Sequence, residues 1–256
     1  MSKDLATSGS TAEPLLDPCY DRLRASCYLA LDVPTWEMAS PLVDLFGEAV
    51  TGYKVGLELY HGDGRRALTT LRELGKRVFL DVKLHDIPNT VAGTLRVIRD
   101  LGVEMVNVHA QGGTDMLKAA REAVEGGAGQ RPSLIGVTVL TSLGERDFAD
   151  LGYAGTVADQ VSALALRCVE SGLDGVVTSG RELALLRRQT PDGFQFVVPG
   201  TRPTWAQSND QVRTLTPKEA IANGASHLVI GRAVTSGSDP VHLLQRLWDE
   251  VIADEH

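Results

Sequence analysis

The 256-residue sequence predicts a single-domain (β/α)₈ barrel, and three observations carry that expectation. Eight short apolar runs alternate with helical patterns, as strand-then-helix units closing on themselves require. Composition does not break anywhere between them. No G-x-G-x-x-G follows the first run, which argues against an open, doubly wound nucleotide-binding sheet.

The strand-like runs are SCYLALDV (26–33), TGYKVG (51–56), RVFLDVKL (77–84) and VEMVNVHA (103–110), then SLIGVTVL (133–140), DGVVTS (174–179), FQFVVPG (194–200) and SHLVIGR (226–232). Most are continuously apolar, the pattern of parallel strands buried on both faces. Helical spacing separates them. In TVAGTLRVIRDLG, Val91, Leu95, Ile98 and Leu101 recur on one face. TPKEAIANG offers Thr216 as N-cap, Pro217 at the first helical position, Glu219 to close a capping box and Gly224 as its stop. SDPVHLLQRLWDEVIAD opens with Pro240 and aligns Val241, Leu244, Leu247 and Val251. Ahead of the first strand, residues 1–17 read as a flexible polar extension without the apolar middle of a signal peptide, leaving 18–256 as the barrel domain.

A formal net charge of −8 argues against non-specific nucleic-acid binding, which needs a basic footprint. No apolar run is long enough to span a membrane. Cys19, Cys27 and Cys168 show neither disulfide nor zinc spacing, so buried, reduced thiols in a cytoplasmic protein are expected. His61 and His85 form no metal-like spacing with carboxylates, and no metal site is expected.

FLDVKLHDIPNT (79–90) is the stretch that asks for an explanation. Desolvating an ion costs several kcal/mol unless it is paired, yet Asp81, Lys83 and Asp86 follow directly on apolar Phe79 and Leu80. Residues two apart on a strand share a face, about 6.6–7 Å apart, so Asp81 and Lys83 are expected to point together into the barrel mouth. Strand one ends in Asp32 and strand two carries Lys54. Two carboxylates and two ammoniums on three consecutive strands are more than a single salt bridge requires, and catalytic residues of such barrels sit at the C-terminal strand ends. Asp86 lies beyond, in a loop, where an Asp also serves as an Asx-turn or helix cap. His109 is either a base or a buried, hydrogen-bonded imidazole, the second being favoured.

Phosphate-type signals close the chain. VVPGTRP (197–203) and LVIGRAV (228–234) each end a strand with Gly and Arg, in the last two units, where barrels frequently hold phosphate. Gly231 allows close backbone approach, while Arg202 and Arg232 supply planar forks. Between them TRPTWAQSNDQVRTLTP reads as an anion-responsive lid, with Trp205 either an anchor for closure or packed on its own loop. Thr141 and Ser142, after strand five, are placed to read a ligand's polar edge or to cap the next segment.

These stretches together resemble the orotidine 5′-phosphate decarboxylase family. D-x-K-x-x-D-I-P-N-T is its signature, and LALDVP, YKVGLELY, VNVHAQGG, GVTVLTS, LDGVVTS, VVPGTRP, NDQVRTLTP and LVIGRAVTS are similar to family blocks in the family's order, from about Ala25 to the last helix. The resemblance implies cofactor-free conversion of orotidine 5′-monophosphate (OMP) to UMP and CO₂, the last step of de novo UMP synthesis. It implies that Lys83 donates the proton to C6, that Asp81 sits beside the departing carboxylate, that Lys54 holds that group and the ribose hydroxyls, and that Asp32 binds ribose. Asp86 and Thr90 would reach the neighbouring subunit's site in a homodimer. Thr141 and Ser142 would read the pyrimidine; Arg202, Gln211, Gly231 and Arg232 would hold the phosphate. One position departs: where some members carry a phosphate-gripping glutamine after RP, this chain has Thr204, leaving Gln207 or another lid residue for that contact. A related barrel that decarboxylates 3-keto-gulonate 6-phosphate with magnesium shares D-x-K-x-x-D without the HDIPNT continuation.

Overall fold

The computed structural model describes residues 11–127, 129–206 and 215–253. Its eight strands, β1 (Cys27–Leu31), β2 (Gly52–Gly56), β3 (Arg77–Leu84), β4 (Met105–His109), β5 (Ser133–Val137), β6 (Gly175–Val177), β7 (Gln195–Pro199) and β8 (His227–Ile230), pair in parallel in sequence order, and β8 closes on β1. All eight strands fall inside the runs expected from sequence, trimmed by one to three residues at most ends.

Period-two alternation sorts each strand's residues between two cores. Tyr28, Ala30, Phe79, Met105, Ile135 and Val197 fill the barrel interior, while the opposite strand faces join the helices in a larger apolar layer. Below the apolar interior the floor is polar: Tyr28 donates to Glu104 (2.6 Å), which also takes Arg77 (3.1 Å). Above it, the same inward parity that places Ala30 and Phe79 inside brings Lys54 into register with both. The mouth of the barrel is therefore where the inward-facing charges emerge.

Local signals act as expected in the helices. Thr216 and Glu219 form the reciprocal capping box at the start of the helix Pro217–Ala222, and the helix Pro88–Arg99 buries Val91, Leu95 and Ile98. Two expectations need amending. The extension assigned to residues 1–17 is not uniform: Glu13–Leu16 form a 3₁₀ turn that inserts Leu15, fully buried, against the last helix and the turn at Gly47–Ala49. An apolar Leu-Leu pair in an otherwise polar segment is what lets it dock. Nor are all three thiols buried. Cys27 and Cys168 are, and burial pushes both up to about 12, but Cys19 is exposed. Among the described residues no helix is long and apolar enough to cross a membrane.

Candidate active site

A cavity of about 230 Å³ opens at the C-terminal end of the strands. One wall is the charge network that sequence anticipated. Asp32, just past β1, accepts from Lys54 Nζ at 2.9 Å. That ammonium, on a side chain only 10% exposed, lies 3.5 Å from Asp81 Oδ2, and Asp81 Oδ1 accepts from Lys83 Nζ at 2.6 Å. Carboxylate and ammonium thus alternate Asp32–Lys54–Asp81–Lys83 across three strands. Burial pushes the Asp81 carboxyl upward, but Lys54, Lys83 and the hydrogen bonds from Lys83 and Asn107 outweigh it and hold the group below its ordinary value. Asp81 is therefore ionised at neutral pH, a fixed anion under two cations. Gly56 leaves room for this arrangement: a Cβ there would stand 2.9 Å from Lys54 Nζ and 3.5 Å from Asp32 Oδ1.

Lys83 is not placed by a regular strand, contrary to the alternation argument. Its φ is +49°, and the β3–β4 pairing shifts register between Leu80 and Leu84. Asp81, Val82 and Lys83 stand against Asn107 alone on β4. Asn107, fully buried, accepts the Lys83 N–H (2.8 Å) and donates to Asp81 Oδ1 (2.7 Å). Sequence reading passed over Asn107, although a lone amide amid MVNVH was a signal of the same kind as Lys54.

Across the cavity stand Pro199, Gly200, Arg202, Gly231 and Arg232, from the ends of β7 and β8. Gly200 has φ +73°, a turn that a side chain rarely allows. A Cβ on Gly231 would meet no protein atom within 4 Å, so the space before it is open cavity. Phe79, Val137, Val177 and Val229 make the apolar base, and Thr141 and the buried Thr178, also unforeseen, line the rim. A charge-balanced wall that presents two ammoniums, and an arginine-bearing wall at the ends of β7 and β8, share an apolar base; such a cavity suits a ligand with anionic groups at two separate points.

Other expected residues lie elsewhere in this chain. Asp86 is exposed and its Oδ1 accepts from the N–H of the next residue, Ile87 (2.7 Å). Thr90 is exposed on the first turn of the helix Pro88–Arg99, and Ser142 is exposed outside the cavity lining. His109 is half-buried against His85 (ring centroids 5.3 Å). Desolvation, then the charges of His85 and Lys83, lowers its pKa, and among the described residues its buried Nδ1 meets no hydrogen-bond partner, unlike the bonded imidazole expected. His61 Nδ1 pairs with the carbonyl of Leu57 (2.8 Å). Thr204 bonds Glu250 through both its N–H (3.2 Å) and its hydroxyl (3.3 Å), and Trp205 lies under Arg246. The first residues of this connection thus lean on the helix Pro240–Ile252. Gln207 and Gln211 lie outside the described residues.

Comparison with known proteins agrees with the barrel fold. The Orotidine 5'-phosphate decarboxylase / HUMPS family profile matches residues 27–247. A protein of Nostoc sp. named Orotidine 5'-phosphate decarboxylase is 48% identical, over 87% of this chain and 95% of its own. Another of that name, from Alkalilimnicola ehrlichii, is 47% identical over 89% of this chain and 96% of its own. Among solved structures, Orotidine 5'-phosphate decarboxylase from Lactobacillus acidophilus superposes with a TM-score of 0.77 at 32% identity, covering 88% of this chain and 98% of that one.

Proposed function

Since the chain belongs to the Orotidine 5'-phosphate decarboxylase / HUMPS family, we propose that it decarboxylates OMP to UMP in pyrimidine biosynthesis, with Lys83 as proton donor to C6. It is a carboxy-lyase, and the observation that carries the finer reading is the position of the Lys83 ammonium. That group stands on the cavity wall, 2.6 Å from an ionised Asp81.

Breaking the bond from C6 to its carboxylate releases CO₂ and leaves the electron pair on a ring carbon, in an orbital the ring's π-system cannot absorb. A fixed cation beside C6 stabilises that charge as it develops and then delivers the proton, so one proton is taken up per CO₂ released. Asp81 keeps the ammonium pointed before substrate arrives, and Lys54, braced between Asp32 and Asp81, stands ready for the substrate carboxylate and ribose hydroxyls. The apolar base of Phe79, Val137 and Val177 lowers the local dielectric and strengthens each of these interactions. On the far wall Arg202, Gly231 and Arg232 take the 5′-phosphate, joined by Gln211. Binding energy gathered there, far from the ring, is available to orient C6 against Lys83. Thr141 reads the pyrimidine edge, with Ser142 beside it.

The working form is a cytoplasmic homodimer in which Asp86 and Thr90 enter the partner's site. Two facts support this: both are exposed, and the same segment carries exposed Ile87 (68%) and Val97 (59%), apolar side chains suited to an interface. The test of function is loss of OMP absorbance, with UMP as product, in buffer containing EDTA. No turnover by folded protein would overturn the assignment, and activity on 3-keto-gulonate 6-phosphate that depends on magnesium would move it to the neighbouring chemistry.

A further inference from the structure

A buried amide, not the strand, holds the reactive lysine in place. Between Leu80 and Leu84 the β3–β4 ladder is interrupted: three residues of β3 face the single residue Asn107. Inside that bulge Lys83 adopts φ +49°, the one non-glycine with positive φ among the described residues. Such backbone is disfavoured for an L side chain and persists only where its surroundings over-determine it. Its N–H has left the regular ladder and would be an orphan donor, and it is met instead by Asn107 Oδ1 at 2.8 Å. The other end of the same amide, Nδ2, donates to Asp81 Oδ1 at 2.7 Å, on the oxygen that receives the Lys83 ammonium. The amide's acceptor and one of its donors are thus both used within one loop of bonds: Lys83 backbone, Asn107, Asp81, Lys83 side chain.

We propose that Asn107 is a positioning residue that fixes the Lys83 ammonium from both ends, holding the left-handed backbone turn and the carboxylate on which the ammonium rests. It is fully buried and is not among the cavity-lining residues, so it acts through Lys83 and Asp81 rather than on substrate. An aliphatic side chain cannot do this work, and a carboxylate does half of it. Aspartate at 107 accepts the Lys83 N–H but, when ionised, repels Asp81. Only its protonated form, with an O–H donor, reproduces the amide.

The inference rests on the decarboxylase reading for its kinetic test, and a second readout is independent of it. In N107A, kcat for OMP should fall about 100-fold, the scale of a misplacement near 1 Å, while KM stays within about threefold. In N107D, kcat should be similarly low in alkali and recover as pH falls, with no matching rise in the wild type. The groups facing that carboxyl are Asp81 and Lys83 from β3, Lys54 beyond them on β2 and His109 along its own strand; β5, Ser133–Val137, contributes no titratable side chain. An N107A enzyme with kcat within threefold of wild type, or an N107D profile parallel to the wild type's, would overturn the proposal. If N107A does not fold, the isosteric N107D and the smaller N107S carry the same comparison. Crystal structures of the variants read the claim without turnover: Lys83 should leave the left-handed region and its Nζ should part from Asp81, and an unchanged Lys83 would sink it. A wild type that leaves OMP intact would instead remove the functional reading.

Discussion

Replacing Lys83 with alanine separates catalysis from binding and from folding, because the three depend on different atoms. Removing the ammonium strips one donor from Asp81, at 2.6 Å, but leaves Asn107 at 2.7 Å and Lys54 at 3.5 Å. The carboxylate remains partnered, so the fold loses about one charge-assisted hydrogen bond, about 1.5–3 kcal/mol. At about 2–4 °C per kcal/mol for a chain of this size, Tm should drop by about 3–12 °C. The chemistry loses both roles of the ammonium. Proton delivery contributes about 10²–10⁴-fold and electrostatic stabilisation at the reacting atom about 10²–10³-fold, together about 10⁴–10⁷ in kcat. The opposite wall is untouched, so UMP should bind within about tenfold of wild type. The assay is OMP absorbance for turnover, calorimetric titration for UMP and a thermal melt for integrity. A folded, UMP-binding Lys83→Ala enzyme within 100-fold of wild-type kcat would refute Lys83 as the proton donor. Lys83→Gly adds a control, since glycine suits φ +49° and should melt no lower than the alanine variant.

Four further outcomes test the remaining parts. Arg232→Ala should raise KM for OMP and lower kcat/KM by about 10- to 150-fold, the cost of about one charge-assisted hydrogen bond from a side chain that is exposed without ligand, and an unchanged KM would place the phosphate elsewhere. Gly56→Ala should fold normally yet lower kcat/KM by about 100-fold, because the new methyl meets the end of Lys54 rather than backbone; full activity would mean the lysine has room to spare. Mixing inactive Asp86→Ala with inactive Lys83→Ala should restore about a quarter of wild-type activity, since half the dimers are mixed and each carries one intact site; no recovery after subunit exchange would remove the shared-site dimer. Asp174 accepts from Arg131 at 2.6 and 2.9 Å and from the N–H of Leu134 at 2.7 Å. Burial raises its pKa, but these bonds bring it below the ordinary value, so its stabilisation is present above the unfolded pKa near 4 and lost as pH falls through the folded one. Asp174→Asn should therefore cost about 1.5–3 kcal/mol at pH 7 by chemical denaturation, with the gap to wild type closing below about pH 4.

Much of this arrangement was legible because charge in an apolar run is costly and therefore informative. Asp32, Lys54 and Asp81 stood out in LALDV, YKVG and FLDV, and the inward parity of strands brought them together as read. Gly231 and Arg232 were found by the same logic of position at the strand end. What local pattern could not reach was contact between distant segments. The hydroxyl of Thr204 bonds Glu250, 46 residues on, so its departure from a phosphate-gripping position reads as an anchor to the last helix. Leu15 looked like part of a tail until its partners, from the last helix and the Gly47–Ala49 turn, were in place. Asp86 and Thr90 are exposed in this chain, and local pattern alone gives no contact for them to make.

The spacing of Asp81 and Lys83 predicted the right contact through the wrong geometry, and the difference bears on mechanism. On a regular strand both side chains would leave the same pleat, and the lysine backbone would be locked in the ladder with β4. Here two extra residues are accommodated before Leu84 rejoins Val108, and the lysine sits at the turn they create. A bulge re-aims a side chain without loosening the sheet on either side. The register is intact below, at Leu80 with Val106, and above, at Leu84 with Val108, so the departure is confined to Asp81, Val82 and Lys83. The backbone of Lys83 is then met not by the β-ladder but by one amide that closes the gap, so if Lys83 is the proton donor as proposed, Asn107, silent in charge and absent from the cavity wall, is where its geometry is set.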